Sequence, residues 1–495
     1  MSFERASGIL LHPSSLPGGY GIGDLGPSAF RFIDWLAGAG CGLWQVLPLG
    51  PTGYGDSPYQ CFSAFAGNPY LVSPEFLLRD DLLHPDDLSD TPDFQDPRVD
   101  FGKLIPWKMN LLERAFTRFE QRRRSDQQAF DHFCAEQVGW LPEYALFMAI
   151  KEANGGRSWR EWPAPLRRRE ARAMEKARRT YAHGVRRYRF YQFVFFQQWT
   201  QLKAYAIEHG IRVIGDIPIF IAYDSADVWS RPDLFYLDEE GHPTVVAGVP
   251  PDYFSRTGQL WGNPLYRWER LKDEAYGWWL ERLKATLAMV DYVRLDHFRG
   301  FAGYWEIPAG SPTAETGQWV PGPGEDFFSV VKDELGDLPI IAEDLGEITP
   351  DVIALRDRFD LPGMKILQFG FSGPDNAFLP HNYPMNCVVY TGTHDTDTTR
   401  GWFESAPDGE REFALRYLRS SPGAFVWDLI HAGWSSVASF AVAPLQDFLD
   451  LGTGARMNYP GKLGGNWTWR MAPDALSDDL AHHILDLNFL YGRSG

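Results

Sequence analysis

The chain has 495 residues, of which 44% are hydrophobic and 23% are charged, a composition typical of a large globular protein and not of a disordered one. Its formal net charge of −18 argues against nucleic-acid or anionic-membrane partners, which attract basic surfaces. Four cysteines without CxxC spacing and no secretion signal predict a reduced, cytoplasmic protein. No apolar stretch approaches the ~18 residues of a membrane span.

Aromatic residues are abundant, with 19 Trp, 21 Tyr and 34 Phe. Composition leaves two interpretations open. One is a large aromatic core, and the other is a site that stacks flat, partly apolar ligands such as sugar rings.

Short apolar runs recur along the chain and predict strands. Helical patterns lie between many of them, for example SAFRFIDWLAGAG after the first run and TPDVIALRDRF after the fifth. Strands that alternate with helices are typical of a parallel (β/α)8 barrel. The eight predicted strands begin near Ser7, Leu43, Ile211, Tyr292, Pro339, Met364, Asn386 and Ser439.

The spacing between these runs is uneven, although the whole chain, 1–495, is predicted to form one catalytic barrel. The gap after the second strand holds roughly 160 residues, far more than a simple crossover needs. We predict a mainly α-helical insertion over approximately 60–209 and a loop-rich insertion over approximately 222–270, after the third strand. The Pro-rich connection SGPDNAFLPHNYPM, between the sixth and seventh strands, is too short for a standard helix.

Ionisable residues collect where the predicted strands end, which is where barrels of this class carry their chemistry. Side chains two residues apart share one face of a strand, so a guanidinium and a carboxylate in the fourth strand should meet and favour the ionised carboxylate. The residues are Asp216 in the third strand, Arg294 and Asp296 in the fourth, Glu343 and Asp344 after the fifth, and His394 and Asp395 after the seventh.

Each of these residues also has a purely structural explanation. Asp296 could form a buried ion pair with Arg294, and Glu343 could cap a helix or pair with a lysine. Asp395 could be a turn or N-cap residue, and His394 could be a structural histidine. The expected meeting of three carboxylates at one site favours a catalytic explanation. Such carboxylates repel one another and cost stability, so a protein has little reason to bring them together unless a reaction requires them.

Three carboxylates without cysteine ligands or a histidine-rich cluster suit glycosyl transfer. One carboxylate attacks the anomeric carbon, and a second, protonated one donates to the leaving oxygen. The third stabilises the oxocarbenium-like state. This chemistry requires no metal and no cofactor.

Several motifs resemble a known family. GDIPIF, YVRLDHFRG, IIAEDLG and YTGTHDTDT are similar to the four short regions of the α-amylase clan. The long stretches ASGILLHPSSLPGGYGIGDLG, WQVLPLGPTGYGDSPYQCFSAFAGNPYL and PPDYFSRTGQLWGNPLY, with FLPHNYP, GARMNYPG and NWTWR, resemble the amylomaltase group, the 4-α-glucanotransferases of glycoside hydrolase family 77. This resemblance implies a (β/α)8 barrel with large inserted subdomains and no C-terminal β-sandwich domain.

The resemblance also implies roles at matching positions. Asp296 would be the nucleophile, Glu343 the acid/base and Asp395 the transition-state stabiliser. The implied substrate-binding residues are Tyr59 beneath the donor sugar, Asp216 as a positioning or structural residue, Trp261 on a mobile loop over the cleft, Arg294 beside Asp296, His297 and His394 on donor hydroxyls, and Asn466 as a distal contact.

The resulting prediction is a retaining 4-α-glucanotransferase that acts on maltooligosaccharides and α-1,4-glucans, with no obligate protein partner. Transfer in preference to hydrolysis requires a covered cleft, and the segment from Pro250 to Tyr266 is the candidate cover. The nearest alternative is an α-1,4-glucan hydrolase on the same scaffold. A glucan-binding protein with an inactive site is a further alternative. A phosphate-handling barrel is disfavoured, because the sequence has no Gly-rich phosphate loop near the seventh and eighth strands.

Overall fold

The computed structural model describes residues 3–94, 97–251, 255–462 and 464–494. Eight strands form a closed parallel barrel in the order β1-β12-β11-β10-β9-β6-β3-β2. The strands found in these ranges are β1 (Ala6–Leu10), β2 (Leu43–Gln45), β3 (Arg212–Pro218), β4 (Val245–Val249), β5 (Gln259–Pro264), β6 (Tyr292–Asp296), β7 (Gly303–Pro308), β8 (Gln318–Pro321), β9 (Ile340–Ala342), β10 (Gly363–Ile366), β11 (Cys387–Tyr390) and β12 (Phe440–Pro444).

Each barrel strand lies in one of the eight predicted apolar runs, so the predicted barrel is confirmed. The strands are buried on both faces, which explains why they are continuously apolar and do not alternate. Closure brings β1 beside β12, with Ala6 opposite Phe440. On its other side β1 approaches β2 so closely that a Cβ on Gly8 would lie 2.5 Å from the Cβ of Leu43. Only glycine fits this contact.

The segment between β2 and β3 is largely helical. The long helix α8 packs on α5 and leads directly into β3, so its apolar face is covered by the other helices of the segment. The helices here are α2 (Pro74–Arg79), α3 (Phe101–Glu120), α4 (Gln128–Glu136), α5 (Leu141–Ala153), α6 (Ala164–Arg167), α7 (Ala171–Thr180) and α8 (Ala182–Glu208).

The remaining helices follow the barrel strands or the second sheet. They are α1 (Pro27–Gly38), α9 (Ala226–Ser230), α10 (Trp268–Asp273), α11 (Gly277–Met289), α12 (Arg299–Ala302), α13 (Gly324–Leu335), α14 (Pro350–Arg358), α15 (Thr399–Ser405), α16 (Asp408–Leu418), α17 (Phe425–Ser435), α18 (Leu445–Phe448) and α19 (Asp478–Leu490). Between β10 and β11 the chain makes only the 3-10 turns Leu367–Phe369 and Pro380–Asn382, as its proline content predicts.

A four-stranded antiparallel sheet with the order β5-β4-β7-β8 stands beside the barrel. Its strands β4 and β5 lie within the segment predicted to be loop-rich, and that description missed them. Their sequences, VVAGV and QLWGNP, are short and carry Gly or Pro. They become strands because β4 pairs with β7, which is distant in sequence, and no local pattern signals that pairing.

After β12 the described residues form helices and turns without a further named strand. No helix in the described ranges is both long and apolar enough to cross a membrane.

Candidate active site

The neighbouring strands β3 and β6 bring a carboxylate and a guanidinium face to face. In their register Asp216 lies opposite Arg294. The Nε and Nη2 atoms of Arg294 donate to Oδ2 of Asp216 at 2.9 and 2.6 Å. Nη2 also donates to Oδ1 of Asp296 at 2.9 Å. Arg294 is only 3% exposed, so its position is fixed and it holds Asp296 in turn.

Tyr59, from the loop after β2, completes this network. Its hydroxyl donates to Oδ2 of Asp216 at 2.7 Å and accepts from Nη2 of Arg294 at 3.2 Å. The Tyr59 ring stacks on the imidazole of His394, with centroids 5.2 Å apart and planes 12° apart. The phenol is therefore held at its hydroxyl and at its ring face.

The exposed fraction of the side chain distinguishes Asp216 from Asp296 and Asp395. The Asp216 side chain has no exposed surface, whereas the side chains of Asp296 and Asp395 remain 28% and 47% exposed. Asp216 therefore serves to position Arg294 and Tyr59, while Asp296 and Asp395 can meet a ligand.

Glu343 follows β9 directly, and its carboxyl group lies against the peptide that follows Asp296. Oε2 accepts from the backbone N–H of His297 at 2.6 Å, and Oε1 accepts from that of Leu345 at 3.2 Å. His297 has a φ of 52°, an uncommon conformation for a residue with a side chain, of the kind that clusters at functional sites. The Glu343 carboxyl group is thus anchored to the peptide that directly follows Asp296, whose own carboxylate is held by Arg294.

The adjacent Asp344 faces away from this site. Its Oδ1 atom accepts from the N–H of Met364 in β10 at 2.7 Å, and its Oδ2 atom accepts from Arg356 at 2.5 Å. Two neighbouring carboxylates therefore have different environments. Glu343 points into the site, and Asp344 ties β9 to β10 and α14.

Asp395 lies in the loop after β11. Its Oδ1 atom accepts from Nδ2 of Asn458 at 2.6 Å, and its Oδ2 atom is 3.3 Å from Nε2 of His394. The helix that follows is capped by Thr398, so Asp395 is not the N-cap. Arg456 donates to the backbone carbonyl of Asp395 at 2.6 Å, which helps to fix the loop.

The surroundings give Asp296 and Glu343 different proton affinities. Burial raises the pKa of Asp296 to about 6, with Arg294 opposing the rise and the charges of Asp216 and Asp395 adding to it. Burial also raises the pKa of Glu343 well above its usual value, and the charge of Asp296 raises it further. Of the two carboxyl groups, Glu343 therefore holds a proton more readily than Asp296.

The third carboxylate is tuned in the opposite direction. Burial alone would raise the pKa of Asp395, but His394 and the hydrogen bond from Asn458 hold it well below its usual range. Asp395 is therefore ionised when a positive charge develops nearby. Retaining glycosyl transfer requires an ionised carboxylate, a protonated acid and a fixed anion, and the three different proton affinities found here are compatible with that set.

Trp261 lies on β5, an edge strand of the second sheet, and not on a free loop as predicted. Pairing of β5 with β4 explains the difference. The indole meets the imidazole of His297 edge-on, with centroids 4.8 Å apart. Within the candidate cover from Pro250 to Tyr266, positions 252–254 lie outside the described residues.

Two predicted sugar-binding residues have contrasting surroundings. Nε2 of His297 is buried without a hydrogen-bond partner among the described residues, and burial lowers the pKa of His297 to about 4, so a neutral ring keeps unused hydrogen-bonding capacity. Asn466 uses its amide within its own loop, accepting from the N–H of Tyr459 at 3.1 Å and donating to the carbonyl of Lys462 at 2.9 Å. Its side chain organises the loop.

Comparison with known proteins shows the family to which the chain belongs. The family profile described as 4-alpha-glucanotransferase, glycoside hydrolase family 77, matches residues 11–476. The 4-alpha-glucanotransferase of Thermus thermophilus is 54% identical over 97% of both chains, and that of a Synechocystis strain is 51% identical over 99% of this chain and 98% of its own. The chain belongs to the 4-α-glucanotransferase family.

A solved structure agrees with this family. The amylomaltase of Streptococcus agalactiae, solved in complex with acarbose, is 39% identical, covers 99% of this chain and 100% of its own, and superposes with a TM-score of 0.97. The amylomaltase of Corynebacterium glutamicum superposes at 0.80 with 18% identity, which shows the shared fold. The predicted family and enzyme class are confirmed, and the comparisons favour the glucanotransferase over the hydrolase alternative.

Two contacts of this 4-α-glucanotransferase site escaped the sequence analysis. Asn458 holds Asp395, and Trp467 packs against Tyr59 and His394 with centroids 5.8 and 6.0 Å apart. Both lie in motifs that carry the family resemblance, GARMNYPG and NWTWR. Neither follows a predicted strand end, so the rule that located the carboxylates could not select them.

Proposed function

We propose that this chain cleaves an α-1,4 bond of a maltooligosaccharide and passes the donor segment to the 4-hydroxyl of glucose or another α-1,4-glucan, with retention of configuration. One observation carries the proposal. The Asp296 carboxylate is held by Arg294, the Glu343 carboxyl group is held by the N–H of His297, the residue after Asp296, and the two groups have different proton affinities.

In the first step Glu343 gives its proton to the glycosidic oxygen as the bond from that oxygen to C1 breaks. Asp296 attacks C1 and forms a β-glucosyl ester, so the donor segment is held covalently. Asp395, ionised and fixed by Asn458, stabilises the positive charge that builds on the ring in the transition state.

In the second step the first product leaves and an acceptor glucan takes its place. Glu343, now a carboxylate, accepts the proton of the acceptor's 4-hydroxyl as that oxygen attacks C1. The ester bond to Asp296 breaks, and both carboxyl groups return to their starting protonation. No redox partner or metal enters the balance.

Substrate contacts follow from the same geometry. Tyr59 would support the donor sugar, while His297 and His394 would bind its hydroxyls. Because a related amylomaltase is described in complex with acarbose, the proposed ligands are α-glucans of the maltooligosaccharide type. Trp261 above His297 is the residue we assign to covering the cleft, which would favour a sugar acceptor over water. The cytoplasmic location stays a prediction.

Incubation with maltotriose, followed by separation of the products by chain length, tests the proposal. Transfer gives glucose together with chains longer than maltotriose. Glucose and maltose without longer chains would indicate a hydrolase, and unchanged maltotriose would indicate a protein that only binds glucans. Asp296→Asn is the control, since it removes the nucleophile and should abolish both product patterns.

A further inference from the structure

A cavity of about 340 Å³ lies in the helical segment between β2 and β3. It is formed by residues of α4, α5, α7 and α8, and none of them belongs to the active site. Two cavities near the barrel mouth are smaller, at about 30 and 60 Å³. A space of this size exceeds that of one water molecule many times over.

The walls of this helical cavity are mainly apolar. Phe130 from α4 and Leu146 from α5 are buried and form one side, together with Pro142. Val185 of α8 and the exposed Ala182 also line it, three residues apart and therefore on one side of that helix. This apolar part of the lining suits the apolar body of an organic molecule.

Three arginines, Arg178, Arg186 and Arg189, also line the cavity, and two of them already have carboxylate partners. Arg178 donates to Glu143 at 3.0 Å. Arg186 donates to Glu120 at 2.7 Å, with its guanidinium 4.9 Å from the centroid of the Phe130 ring. Their charges are therefore balanced within the protein.

Arg189 differs from these two arginines. Its Nε atom is buried without a hydrogen-bond partner, and among the described residues no carboxylate forms an ion pair with it. By contrast, the neighbouring Arg187, whose side chain is also partly buried, forms ion pairs with Glu113 and Glu152. Arg189 therefore brings to the lining of the cavity a positive charge that has no ion-pair partner among the described residues.

We propose that the helical cavity binds a small organic carboxylate with an apolar body. The carboxylate would accept two parallel hydrogen bonds from the guanidinium edge of Arg189, and the apolar body would lie against Phe130, Leu146 and Val185. A doubly charged phosphate fits less well, because Glu143 and Glu120 already neutralise the other two arginines. This inference is independent of the proposed glucan chemistry.

Isothermal titration with octanoate tests the proposal on the full chain, with 1-octanol as the uncharged probe of equal length and inorganic phosphate as the anion without an apolar body. We expect saturable binding of one octanoate per chain. Octanol and phosphate should each bind about tenfold or more weakly, since each lacks one half of the recognition.

Arg189→Gln should weaken octanoate by about tenfold or more and leave octanol unchanged, because a charge-assisted hydrogen-bonded pair is lost. Arg172→Gln is the matched control: it removes the same charge from an exposed position on α7 outside the cavity, and it should bind octanoate like the wild type. Circular dichroism checks that both variants are folded.

Val185→Phe gives a second, independent test because it fills the cavity. It should abolish binding of octanoate and octanol while leaving transfer on maltotriose unchanged. Equal octanoate affinity in the wild type and Arg189→Gln would overturn the proposal, as would phosphate binding as tightly as octanoate. Uptake of several octanoates without saturation would overturn it too, since that is detergent-like adsorption.

Discussion

Asp296 and Glu343 show how two carboxyl groups at one site, one of them bonded to the peptide that follows the other, acquire different proton affinities. Asp296 accepts from a guanidinium, which favours its charged form. Among the residues that the structure describes, Glu343 accepts only from backbone N–H groups, and burial beside another carboxylate favours its protonated form. Burial raises the pKa of both groups, but Arg294 is the largest opposing influence at Asp296, whereas at Glu343 the charge of Asp296 adds to the rise.

Glu343→Gln should retain glucan binding and lose turnover. The amide keeps the size and can occupy the same place, but it cannot donate a proton to the glycosidic oxygen. We expect kcat on maltotriose to fall about 10²–10⁴-fold, the range for a general acid, with the Kd for acarbose changed by less than about threefold. Steady-state kinetics and calorimetry measure the two quantities.

Asp344→Asn is the matched control for that variant. Asp344 is the next residue and a buried carboxylate, but it bonds to Arg356 and to the N–H of Met364. Its substitution should lower the melting temperature and leave kcat near the wild-type value at a permissive temperature. The acid role of Glu343 would be wrong if the two variants lost activity equally.

The pH dependence of kcat/KM follows from the same pair. Activity requires Asp296 without its proton and Glu343 with its proton. Below pH about 6, the pKa to which burial raises Asp296, the nucleophile becomes protonated and kcat/KM should fall about tenfold per pH unit. At high pH Glu343 loses its proton and activity falls again. The two limbs describe the pair as a unit.

Arg294→Gln sharpens this prediction. Arg294 lowers the pKa of Asp296, so its removal should move the acid limb of the profile to higher pH. A variant with lower activity but an unmoved limb would show that Arg294 acts on geometry alone.

At the scale of elements, the predictable parts are those with a local signal. Barrel strands are continuous apolar runs, and polar residues at their ends are visible in the sequence, so the positions of Asp216, Asp296 and Glu343 at strand ends could be predicted from sequence alone. Strand β5 and the contacts of Asn458 and Trp467 could not, because pairing with β4 and packing against Asp395, Tyr59 and His394 depend on residues that are distant in sequence.

The edge strand β5 offers a test of the covered cleft. Trp261→Ala removes the ring that meets His297 and should admit water to the site. The ratio of transfer to hydrolysis on maltotriose should fall about three- to tenfold, the worth of a lost aromatic contact. Reducing-end release and the product ladder, measured together, give this ratio.

Leu260→Ala is the control from the same strand. Leu260 is the neighbouring residue, so its side chain points to the opposite face, and it is 43% exposed. Its substitution should leave the ratio unchanged. A similar fall in both variants would point to loosening of β5 and not to loss of the indole cover.

At the scale of the whole molecule, residues near the two ends of the chain hold the barrel closed. Strand β1 pairs with β12, and two arginines bind the carbonyls around this junction. Arg5 donates to the carbonyls of Trp434, Ser436 and Ala438. Arg493, which is fully buried, lies against the same carbonyls and reaches Ala6 in β1.

Arg493→Met should therefore destabilise the fold without touching the chemistry. Its guanidinium makes five hydrogen bonds, to the carbonyls of Trp434, Ala6, Ser439, Ser436 and Ala438. Methionine fills similar space but removes all five hydrogen bonds, and although Arg5 still donates to three of these carbonyls, we expect the free energy of unfolding to fall by about 3 kcal/mol.

Urea unfolding followed by tryptophan fluorescence measures this loss as a lower midpoint. Arg172→Met, which removes the same charge from an exposed position on α7, should leave the midpoint unchanged. The kcat of folded Arg493→Met should stay near wild type, because its contacts lie where β1 and β12 begin, whereas the carboxylates lie where the barrel strands end. An unchanged midpoint would mean that strand pairing alone closes the barrel.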